Sequence, residues 1–470
     1  MLQMSRVNGK ALLIGVMAVS LMGSCMQDHG GGGDYIAHPY MEGGYYSDGK
    51  LFYDMDQKTA SVVGTDGGAS EVILPDAIEI NGETYPLVRI KNLGIFTSPD
   101  DYGKFGVTAN GGLSSLQLSS TLTSIQSVVQ QDVLFESVVY DPKEEDAYQP
   151  QLAWGAPLKR RYPIKTLVVR AGNQTYDSRE GSNCLIQYAT GRVVFAGLDA
   201  KLPPAIKEIA PCAFVGCEGL NKDCTLPSGL VNIGYSAFQN CALTQIVLPS
   251  SLEVIGSGAF FGNHLREVTI PAAVTEINDY AFASNDLVSI SVEPGNETYD
   301  SRNDCQAIIE TESNKLLQGC ENTVIPNEVT AISPCAFYQC NRLKTIDLPD
   351  SLTAIGDYAF MDCITLESVV IPDATTSIGK SAFYGCKKLT HVVLSKDVKV
   401  GDAAFRNCDG LAEQQASVKV LFDDPSAVDP SVFGFSKKDK KAMMLLVPGE
   451  AETRFLESEW RNYFLSISTY

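Results

Sequence analysis

The stretch Leu343-Lys-Thr-Ile-Asp-Leu-Pro-Asp-Ser-Leu-Thr-Ala-Ile-Gly-Asp-Tyr-Ala-Phe-Met-Asp-Cys363 decides the fold, because its pattern recurs through the second half of the chain. The pair Ala-Phe returns after gaps of 24, 22, 22, 55, 23, 23 and 22 residues, and a proline stands 11 residues before seven of the eight phenylalanines. A fixed period of about 20–29 residues is typical of a solenoid, in which each repeat forms one coil and stacks on the next. The phenylalanines predicted to fill the centres of the coils are Phe214, Phe238, Phe260, Phe282, Phe337, Phe360, Phe383 and Phe405.

Each coil is predicted to contain one short strand and a return path. Leu343, Ile346 and Leu348 would point inward from the strand, which Pro349 ends because proline has no amide hydrogen for a ladder. Gly356 would supply a turn before the phenylalanine. The predicted fold class is therefore a mainly β repeat solenoid, a leucine-rich-repeat right-handed superhelix with one sheet of parallel strands and short turns or 3-10 helix on the other face.

The first residues have the features of a secretion signal. Arg6 and Lys10 precede the apolar run Ala11–Leu21, which is short for a membrane span. Small residues stand directly before Cys25, as in bacterial lipoprotein cleavage sites, where the cysteine is lipidated. We therefore predict a lipoprotein signal peptide over residues 1–24 and a lipid anchor at Cys25, with a plain secretory signal as the alternative.

The remaining chain is predicted to contain four parts. Residues 25–45 are glycine-rich and would form a flexible tether. Residues 46–200 would form an N-terminal cap with degenerate repeats, and residues 201–415 hold the regular repeats. Residues 416–470 would form a C-terminal cap, with apolar residues around Trp460 at helical spacing, because the last coil of an array needs a cover.

Two similar insertions interrupt the repeats. Residues 172–179 and 295–302 share the pattern Gly-Asn-x-Thr-Tyr-Asp-Ser-Arg, and each is followed by a cysteine, an apolar strand, a turn and a second strand. Both are predicted to be hairpins that project from the solenoid. A disulfide between Cys305 and Cys320 across the second hairpin would suit an oxidising compartment, whereas Gly197 stands at the matching position of the first.

Composition and charge restrict the partners. The chain carries 36 basic and 56 acidic residues, a formal net charge of −20. Nucleic acid is not a predicted partner, because neutralising its phosphates needs a basic surface. No apolar run after the leader is long enough to cross a bilayer, so the membrane would be reached through the lipid anchor.

The chain uses cysteine often, with 13 in all. Asn263 and Asn285 occupy the position three residues after the coil phenylalanine, where most repeats have cysteine. Because asparagine could not replace cysteine in metal binding or redox chemistry, this exchange predicts a shared hydrogen bond to a backbone turn. The cysteines at this position are Cys217, Cys241, Cys340, Cys363, Cys386 and Cys408.

The sequence has no recognisable catalytic or cofactor motif. It contains neither a nucleophile elbow, nor a metalloprotease helix, nor a phosphate loop, nor a dinucleotide fingerprint, so no cofactor is predicted. The cysteine spacing does not fit a zinc site, and no metal is predicted. A hydrolase with an unrecognised carboxylate pair is one alternative, since 56 acidic residues allow many spatial pairs.

The repeat unit resembles a known family. Its pattern, Cys-x-x-Leu-x-x-Ile-x-Leu-Pro-x-x-Leu-x-x-Ile-Gly-x-x-Ala-Phe, is similar to the BspA-like leucine-rich repeats of bacterial surface proteins. The resemblance implies a non-enzymatic, lipid-anchored protein, which we expect at the bacterial outer membrane and exposed at the cell surface. Its partner would be a host extracellular-matrix or mucin protein, or another bacterial surface component. The resemblance includes Cys340, Leu343, Ile346, Leu348, Pro349, Leu352, Ile355, Gly356, Ala359 and Phe360.

The outward strand positions of the repeats are the candidate binding face. They form a mixed ribbon of hydroxyl, aliphatic and charged side chains, which an exposed β surface also favours without any ligand. A glycan-capture lipoprotein of a polysaccharide-uptake system is the second alternative, although the ribbon has no aromatic side chain on which a sugar would stack. The candidate binding residues are Gln245, Arg266, Glu267, Thr269, Lys344, Asp347, Glu367 and His391.

Overall fold

The computed structural model describes residues 34–36, 45–47, 51–56, 59–65, 71–80, 83–90, 115–118, 120–121, 124–125, 165–220, 224–434 and 442–470. Two compact units emerge: Met1–Glu136 with Arg160–Ala189, and Ser137–Lys159 with Thr190–Tyr470. Cys25, the predicted signal peptide and most of the predicted tether lie outside the described residues.

The first unit is built from strands. Four of them form an antiparallel meander, the fourth continues parallel into β7, and β5, β8 and β10 form a separate parallel sheet with β8 in the middle. The described strands are β1 (Asp34–Ile36), β2 (Tyr45–Ser47), β3 (Leu51–Asp56), β4 (Thr59–Thr65), β5 (Glu71–Ile73), β6 (Ala77–Ile80), β7 (Glu83–Ile90), β8 (Ser115–Leu118), β9 (Ser124–Ile125), β10 (Thr166–Val169), β11 (Tyr176–Asp177) and β12 (Cys184–Gln187).

The second unit contains the regular repeats and is also mainly β. The chain is thus a parallel-stranded solenoid with little helix, as the sequence predicts. Its described strands are β13 (Arg192–Ala196), β14 (Glu208–Ile209), β15 (Asn232–Ile233), β16 (Val254–Ile255), β17 (Glu267–Ile270), β18 (Glu276–Ile277), β19 (Ser289–Val292), β20 (Tyr299–Asp300), β21 (Ala307–Glu310), β22 (Lys315–Gly319), β23 (Ala331–Ile332), β24 (Ala354–Ile355), β25 (Ser368–Val370), β26 (Ser377–Ile378), β27 (His391–Leu394), β28 (Lys399–Val400), β29 (Ser417–Val420), β30 (Ala442–Val447) and β31 (Phe464–Thr469).

Two separate faces of the second unit carry parallel ladders. Longer strands pair as β17 with β19 and as β25, β27, β29, β30 and β31 in that order; β17 ends directly before the repeat proline Pro271, and β25 ends at Val370, shortly before Pro372. Two-residue strands on the return path form a second ladder, where the sequence predicted turns without a sheet. The segment used to define the repeat differs: residues 343–349 form no strand, although Leu343 and Ile346 are buried as predicted and Leu348 is half-buried.

A glycine follows five of the eight two-residue return strands and allows neighbouring coils to approach closely, while Ala210, Asn278 and Ser333 follow the other three. A Cβ on Gly356 would lie 2.5 Å from the amide nitrogen of Pro334, and one on Gly256 would lie 2.6 Å from that of Tyr235. Since real Cβ atoms do not approach backbone so closely, only glycine fits these positions. Gly356 is therefore required for coil stacking, and its carbonyl also accepts from the amide of Ala359 at 3.3 Å, which closes the turn predicted from the sequence.

The centre of the array is filled by stacked phenylalanine rings, as predicted. All eight predicted rings are at most 1% exposed. We call the coils of Phe214, Phe238, Phe260 and Phe282 the first block; its ring centroids are 5.0, 5.4 and 5.3 Å apart. The second block contains Phe337, Phe360, Phe383 and Phe405, with spacings of 4.8, 5.0 and 5.1 Å, and Phe433 extends it at 5.1 Å.

The second insertion separates the two blocks. Strands β20, β21 and β22 pair antiparallel in that order, as predicted for a hairpin insertion, and β22 then pairs parallel with β23. A Cβ on Gly319 would overlap the ring of Phe337. The backbone of β22 therefore covers the ring face that another phenylalanine would cover in a regular coil.

The C-terminal segment covers the last coil. Strands β30 and β31 continue the sheet, and Trp460 is buried among Phe422, Phe433, Phe455 and Phe464. The helical part of this cap is short. The described helices are the α-helix α1 (Glu452–Leu456) and 3-10 turns at Arg179–Gly181, Arg302–Asp304, Asp409–Ala412, Pro425–Ala427, Pro430–Phe433 and Glu459–Asn462.

Candidate functional site

All eight predicted binding residues are exposed on the strand side that precedes the repeat proline. We call this surface the outward ribbon. Its members belong to both blocks, and the apolar residues between them are buried, for example Val268 beside Thr269 and Val369 next to Ser368. The outward ribbon consists of Gln245, Arg266, Glu267 and Thr269 in the first block, and Lys344, Asp347, Glu367 and His391 in the second.

In the first block the outward ribbon is held in register by the parallel ladder. Glu267 lies opposite Ser289, and Thr269 lies opposite Ser291. The hydroxyls of Thr269 and Ser291 are 3.0 Å apart and share a hydrogen bond. The carbonyl of Arg266 accepts a hydrogen bond from the amide of Val288, at 2.8 Å. The ladder thus fixes the backbone positions from which these side chains project.

In the second block, backbone hydrogen bonds connect successive members of the outward ribbon. The carbonyl of Lys344 accepts from the amide of Glu367 at 3.0 Å, and the carbonyl of Glu367 accepts from the amide of Thr390 at 2.9 Å. Opposite charges therefore stand on adjacent coils at Lys344 and Glu367. His391 pairs in register with Ser368, and its Nδ1 lies 2.8 Å from the hydroxyl of Thr390.

Three exposed valines occupy the same position of their repeats. Val247, Val324 and Val370 each stand two residues before the repeat proline, and their exposed fractions are 79%, 74% and 61%. Val247 and Val370 are among the outward strand positions that the sequence predicts to be exposed, although neither is one of the eight candidate binding residues, and Val324 was not predicted. Exposed valine suits β structure, so hydropathy alone gave no signal that distinguished these positions from ordinary strand residues.

A second aromatic cluster lies outside the central stack and was not predicted. Phe261, Tyr358 and Tyr384 are buried, while Tyr280 and Tyr338 are half-buried beside them. Burial raises the pKa of Tyr280 to about 12. These rings come from turns around the coil phenylalanine, and most of their area packs against protein, so they do not form the open platform on which a sugar ring would stack.

The predicted cysteine role is confirmed. The thiol of Cys363 donates to the carbonyl of Phe337 at 3.1 Å, and that of Cys386 donates to the carbonyl of Phe360 at 3.2 Å. Asn263 fills the same position and donates to the carbonyl of Phe238 at 2.8 Å. Cysteine and asparagine thus make the same bond, to the phenylalanine carbonyl of the preceding coil.

Most thiols of the array are buried, and burial disfavours the reactive thiolate form. Burial raises the pKa of Cys335 and of Cys340 to about 12. Cys305 and Cys320 are buried free thiols, so the disulfide considered from the sequence is not formed. Among the described residues, no group of three or more histidine, cysteine, aspartate or glutamate side chains could hold a metal ion.

The Asp-Ser-Arg part of the motif shared by the two insertions forms ion pairs within its own turn. Arg302 donates from Nε and Nη2 to the two carboxylate oxygens of Asp300, at 2.8 and 2.6 Å, and from Nη1 to Asn314 at 2.7 Å. Burial acts to raise the pKa of Asp300, but the hydrogen bonds and charge of Arg302 lower it overall. Arg179 and Asp177 form the same bidentate pair in the first insertion. The motif therefore orders the turn.

Two notches interrupt the surface of this unit. They have volumes of about 240 and 210 Å³ and lie beside Gln318, where the second insertion meets the first block. No helix among the described residues is long and apolar enough to span a membrane.

Comparison with known proteins agrees with the repeat architecture. Residues 198–303 and 309–421 match the BspA type leucine rich repeat region, in six copies. A leucine rich cell surface protein from Faecalibacterium prausnitzii A2-165 has 21% identity and a TM-score of 0.51, with 90% of this chain and 94% of that chain covered. At this identity the similarity shows the fold.

Two further solved structures share lower similarity. The pneumococcal vaccine antigen PcpA has 17% identity and a TM-score of 0.48, over 94% of this chain and 99% of that one. A leucine-rich repeat protein from Bacteroides ovatus has 17% identity and a TM-score of 0.33, over 89% and 87%. We infer nothing from these two. No curated protein matches the chain in sequence.

Proposed function

We propose that this chain, a BspA-type leucine-rich repeat protein, is a non-enzymatic binding protein of the bacterial cell surface that engages a macromolecule through the outward ribbon. One observation carries the proposal: the eight ribbon side chains are all exposed, and successive coils are joined by backbone hydrogen bonds that hold them in place. A rigid, extended row of side chains suits a long partner, because it offers many contacts at fixed spacing without reordering.

The arrangement favours binding over catalysis. The centre of each coil is filled by a phenylalanine ring, so the interior leaves no room for a substrate. The buried thiols have raised pKa values and are poor nucleophiles at neutral pH. The hydrolase alternative would be supported by turnover that a single Asp or Glu substitution abolishes.

The proposed partner is a host extracellular-matrix or mucin protein, or another bacterial surface component. The mixed charges of the ribbon, with Arg266 beside Glu267 and Lys344 beside Glu367, suit a protein surface that also carries both signs. A uniformly acidic or basic polymer would meet repulsion at alternate positions. The glycan-capture alternative would be supported by sub-millimolar binding on a glycan array.

The test is a direct binding measurement with charge reversals. Purified protein is passed over immobilised matrix proteins, mucin and bacterial surface extracts, and Lys344→Glu and Glu367→Lys are compared with Lys399→Glu. Lys399 is the control because it is exposed on the short-strand face. We expect the ribbon variants to weaken binding about tenfold or more and the control to leave it unchanged. Equal affinities for all four proteins would refute the proposed face.

We also propose that lipid at Cys25 attaches the protein to the outer membrane, with the array exposed to the outside. Metabolic labelling with a lipid analogue should mark the wild type and not Cys25→Ala. Protease added to intact cells should then remove the array from the wild-type strain. Labelling that persists in Cys25→Ala would exclude the anchor, and complete protection from protease would exclude surface exposure.

A further inference from the structure

The last strand of the C-terminal sheet has an open edge. Within the described residues, β31 pairs with β30 on one side and is the end of the five-stranded order. The amide of Tyr470 donates to the carbonyl of Val447, so Ser468 and Tyr470 face β30. Alternate residues of a parallel strand bond to opposite sides. The amide and carbonyl groups of Ile467 and Thr469 therefore point away from the sheet.

Two other ends of parallel ladders among the described residues, at β19 and β10, are closed by side chains. At β19, the amide of Ile290 donates to Oε1 of Gln306 at 3.1 Å, and the carbonyl of Val288 accepts from Nδ2 of Asn322 at 2.9 Å. These groups face away from β17, as the free groups of β31 face away from β30. The insertion thus supplies amide side chains in place of a neighbouring strand.

The same device closes β10 in the first unit. The amide of Leu167 donates to Oδ1 of Asn183 at 2.6 Å, and the amide of Val169 donates to the hydroxyl of Ser178 at 3.1 Å. The chain therefore covers strand edges where an insertion follows. Strand β31 differs, because no comparable side chain from the described residues caps Ile467 or Thr469.

The sequence of β31 also lacks the usual features that keep other strands away. Phe464–Thr469 contains no charged residue and no proline, and its ladder with β30 is parallel throughout. Natural edge strands are commonly blocked by lysine, proline or a bulge. Exposed apolar groups accompany this edge: Leu465 is 62% exposed, Tyr470 is 52% exposed, and Leu456 on α1 is 46% exposed.

We propose that β31 pairs antiparallel with β31 of a second copy of this chain. About a two-fold axis at Ile467, Ser466 of one copy stands opposite Ser468 of the other, and Leu465 stands opposite Thr469. The edge is thus self-complementary, with uncharged side chains facing each other at every position. Because the described residues of each copy offer this edge once, the pairing closes as a dimer and joins two five-stranded sheets into one.

Charge predicts how this dimer responds to salt. Two copies with a net charge of −20 repel each other, while Phe464–Thr469 itself carries no charge, and the nearby ammonium of Lys419 lies over the ring of Tyr470 in its own copy. Salt screens repulsion over about 8 Å at physiological ionic strength and over a shorter distance at higher salt. The dimer should therefore tighten as salt increases, whereas a dimer held by ion pairs would weaken. The proposal is independent of the ligand of the outward ribbon.

The test combines sedimentation velocity with amide hydrogen exchange on the purified protein. Sedimentation over a hundredfold concentration range should show a reversible monomer–dimer equilibrium that shifts towards dimer between low and high salt. Leu465→Lys and Thr469→Lys should each weaken it about tenfold or more, because every dimer then buries two added charges. Val247→Lys is the control, since Val247 is also exposed and apolar but belongs to the first block.

Exchange at single amides identifies the edge. The amides of Ile467 and Thr469 should gain protection as concentration increases, while those of Ser466 and Ser468 are protected throughout. A monomer at all concentrations, growth beyond the dimer, or a dimer that keeps its affinity in both lysine variants would overturn the proposal. Protection of Ile467 and Thr469 in a strict monomer would also overturn it, since another segment of the same chain would then occupy the edge.

Discussion

The two blocks of the array differ at one turn, and the difference explains why asparagine replaces cysteine. In the second block the turn after the phenylalanine has the form Cys-x-x-Leu, and the leucine amide bonds within its own turn: Leu366 donates to the carbonyl of Cys363 at 3.1 Å. In the first block Cys217-Glu-Gly-Leu220 keeps this form, but the turns Cys241-Ala-Leu243 and Asn263-His-Leu265 are one residue shorter.

The shorter turn leaves its leucine amide without that internal acceptor. The next coil then supplies one: the amide of Leu243 donates to Oδ1 of Asn263 at 3.0 Å, and that of Leu265 donates to Oδ1 of Asn285 at 3.0 Å. Cysteine offers a donor for the phenylalanine carbonyl but no comparable acceptor. Asparagine therefore occurs in the coil that follows a short turn, and cysteine suffices after a long turn.

Each block has its own stack of phenylalanine rings. Removing one ring should therefore lower the unfolding free energy by a similar amount in both blocks, and this is the largest effect expected. Phe260→Ala and Phe360→Ala each remove a ring that is 0% exposed and stacked on both sides. Each should cost about 3–5 kcal/mol of unfolding free energy, through lost burial and the cavity that remains. Chemical denaturation followed by circular dichroism measures this. A loss below about 1 kcal/mol in either block would contradict a core made by these rings.

Substitutions three residues after the coil phenylalanine should lower stability more in the first block than in the second. Asn263→Cys keeps a donor for Phe238 but leaves the amides of Cys241 and Leu243 without their acceptor. An unsatisfied buried amide costs about 1–3 kcal/mol, and we expect a loss in that range. Cys363→Ser, which retains a donor after a long turn, should cost less. Thermal and denaturant unfolding compare the two variants.

A length change provides the control for this explanation. Inserting one glycine after Ala242 converts the short turn to the Cys-x-x-Leu form and lets Leu243 bond within its own turn. The insertion should recover part of the stability lost in Asn263→Cys and give no comparable gain in the wild type. If the insertion destabilised both proteins equally, turn length would not be the reason for asparagine.

Sequence periodicity predicted the parts of the fold that depend on regular spacing. The eight rings, the parallel strands, the second hairpin and the shared role of cysteine and asparagine all follow from side chains that recur at fixed offsets. Phe433 was missed because it follows Val432 rather than alanine and lies 28 residues after Phe405. Its place in the stack depends on the 3-10 turn at Pro430–Phe433, which has no counterpart in the repeat pattern.

Other features depend on contacts between coils, which a single repeat cannot show. The exposed state of Lys344 and Asp347 follows from the pattern, yet their segment forms no regular strand, although the carbonyl of Lys344 accepts a hydrogen bond from Glu367. The role of Gly356 required the distance to Pro334 in the preceding coil. The caps on β19 came from Gln306 and Asn322 in an insertion, where the sequence offered no periodicity to interpret.

A smaller effect should appear in thiol reactivity. Burial raises the pKa of Cys363 and Cys386 well above the ordinary value, and Cys335 and Cys340 reach about 12. Native protein at pH 8 should therefore react slowly with a thiol reagent, and unfolding in denaturant should release full reactivity. Rapid modification of Cys363 or Cys386 in the folded protein, identified by peptide mass, would show that these coils open on the timescale of the assay.

The smallest expected effect concerns Asp362, which has a positive φ of 57° in the second block. Burial raises the pKa of its carboxyl, so the folded protein binds a proton more tightly than the unfolded chain. This group therefore destabilises the fold as pH increases from its unfolded pKa through its folded pKa, and the penalty persists at neutral pH.

Asn240 and Asn407 occupy the matching position in other coils, also with positive φ. Asp362→Asn should increase the unfolding free energy at pH 7 by about 0.5 kcal/mol, the usual size of a change near the surface, and the gain should shrink as pH decreases towards 4. A gain of the same size at both pH values would show that backbone preference, rather than the charge of Asp362, is responsible.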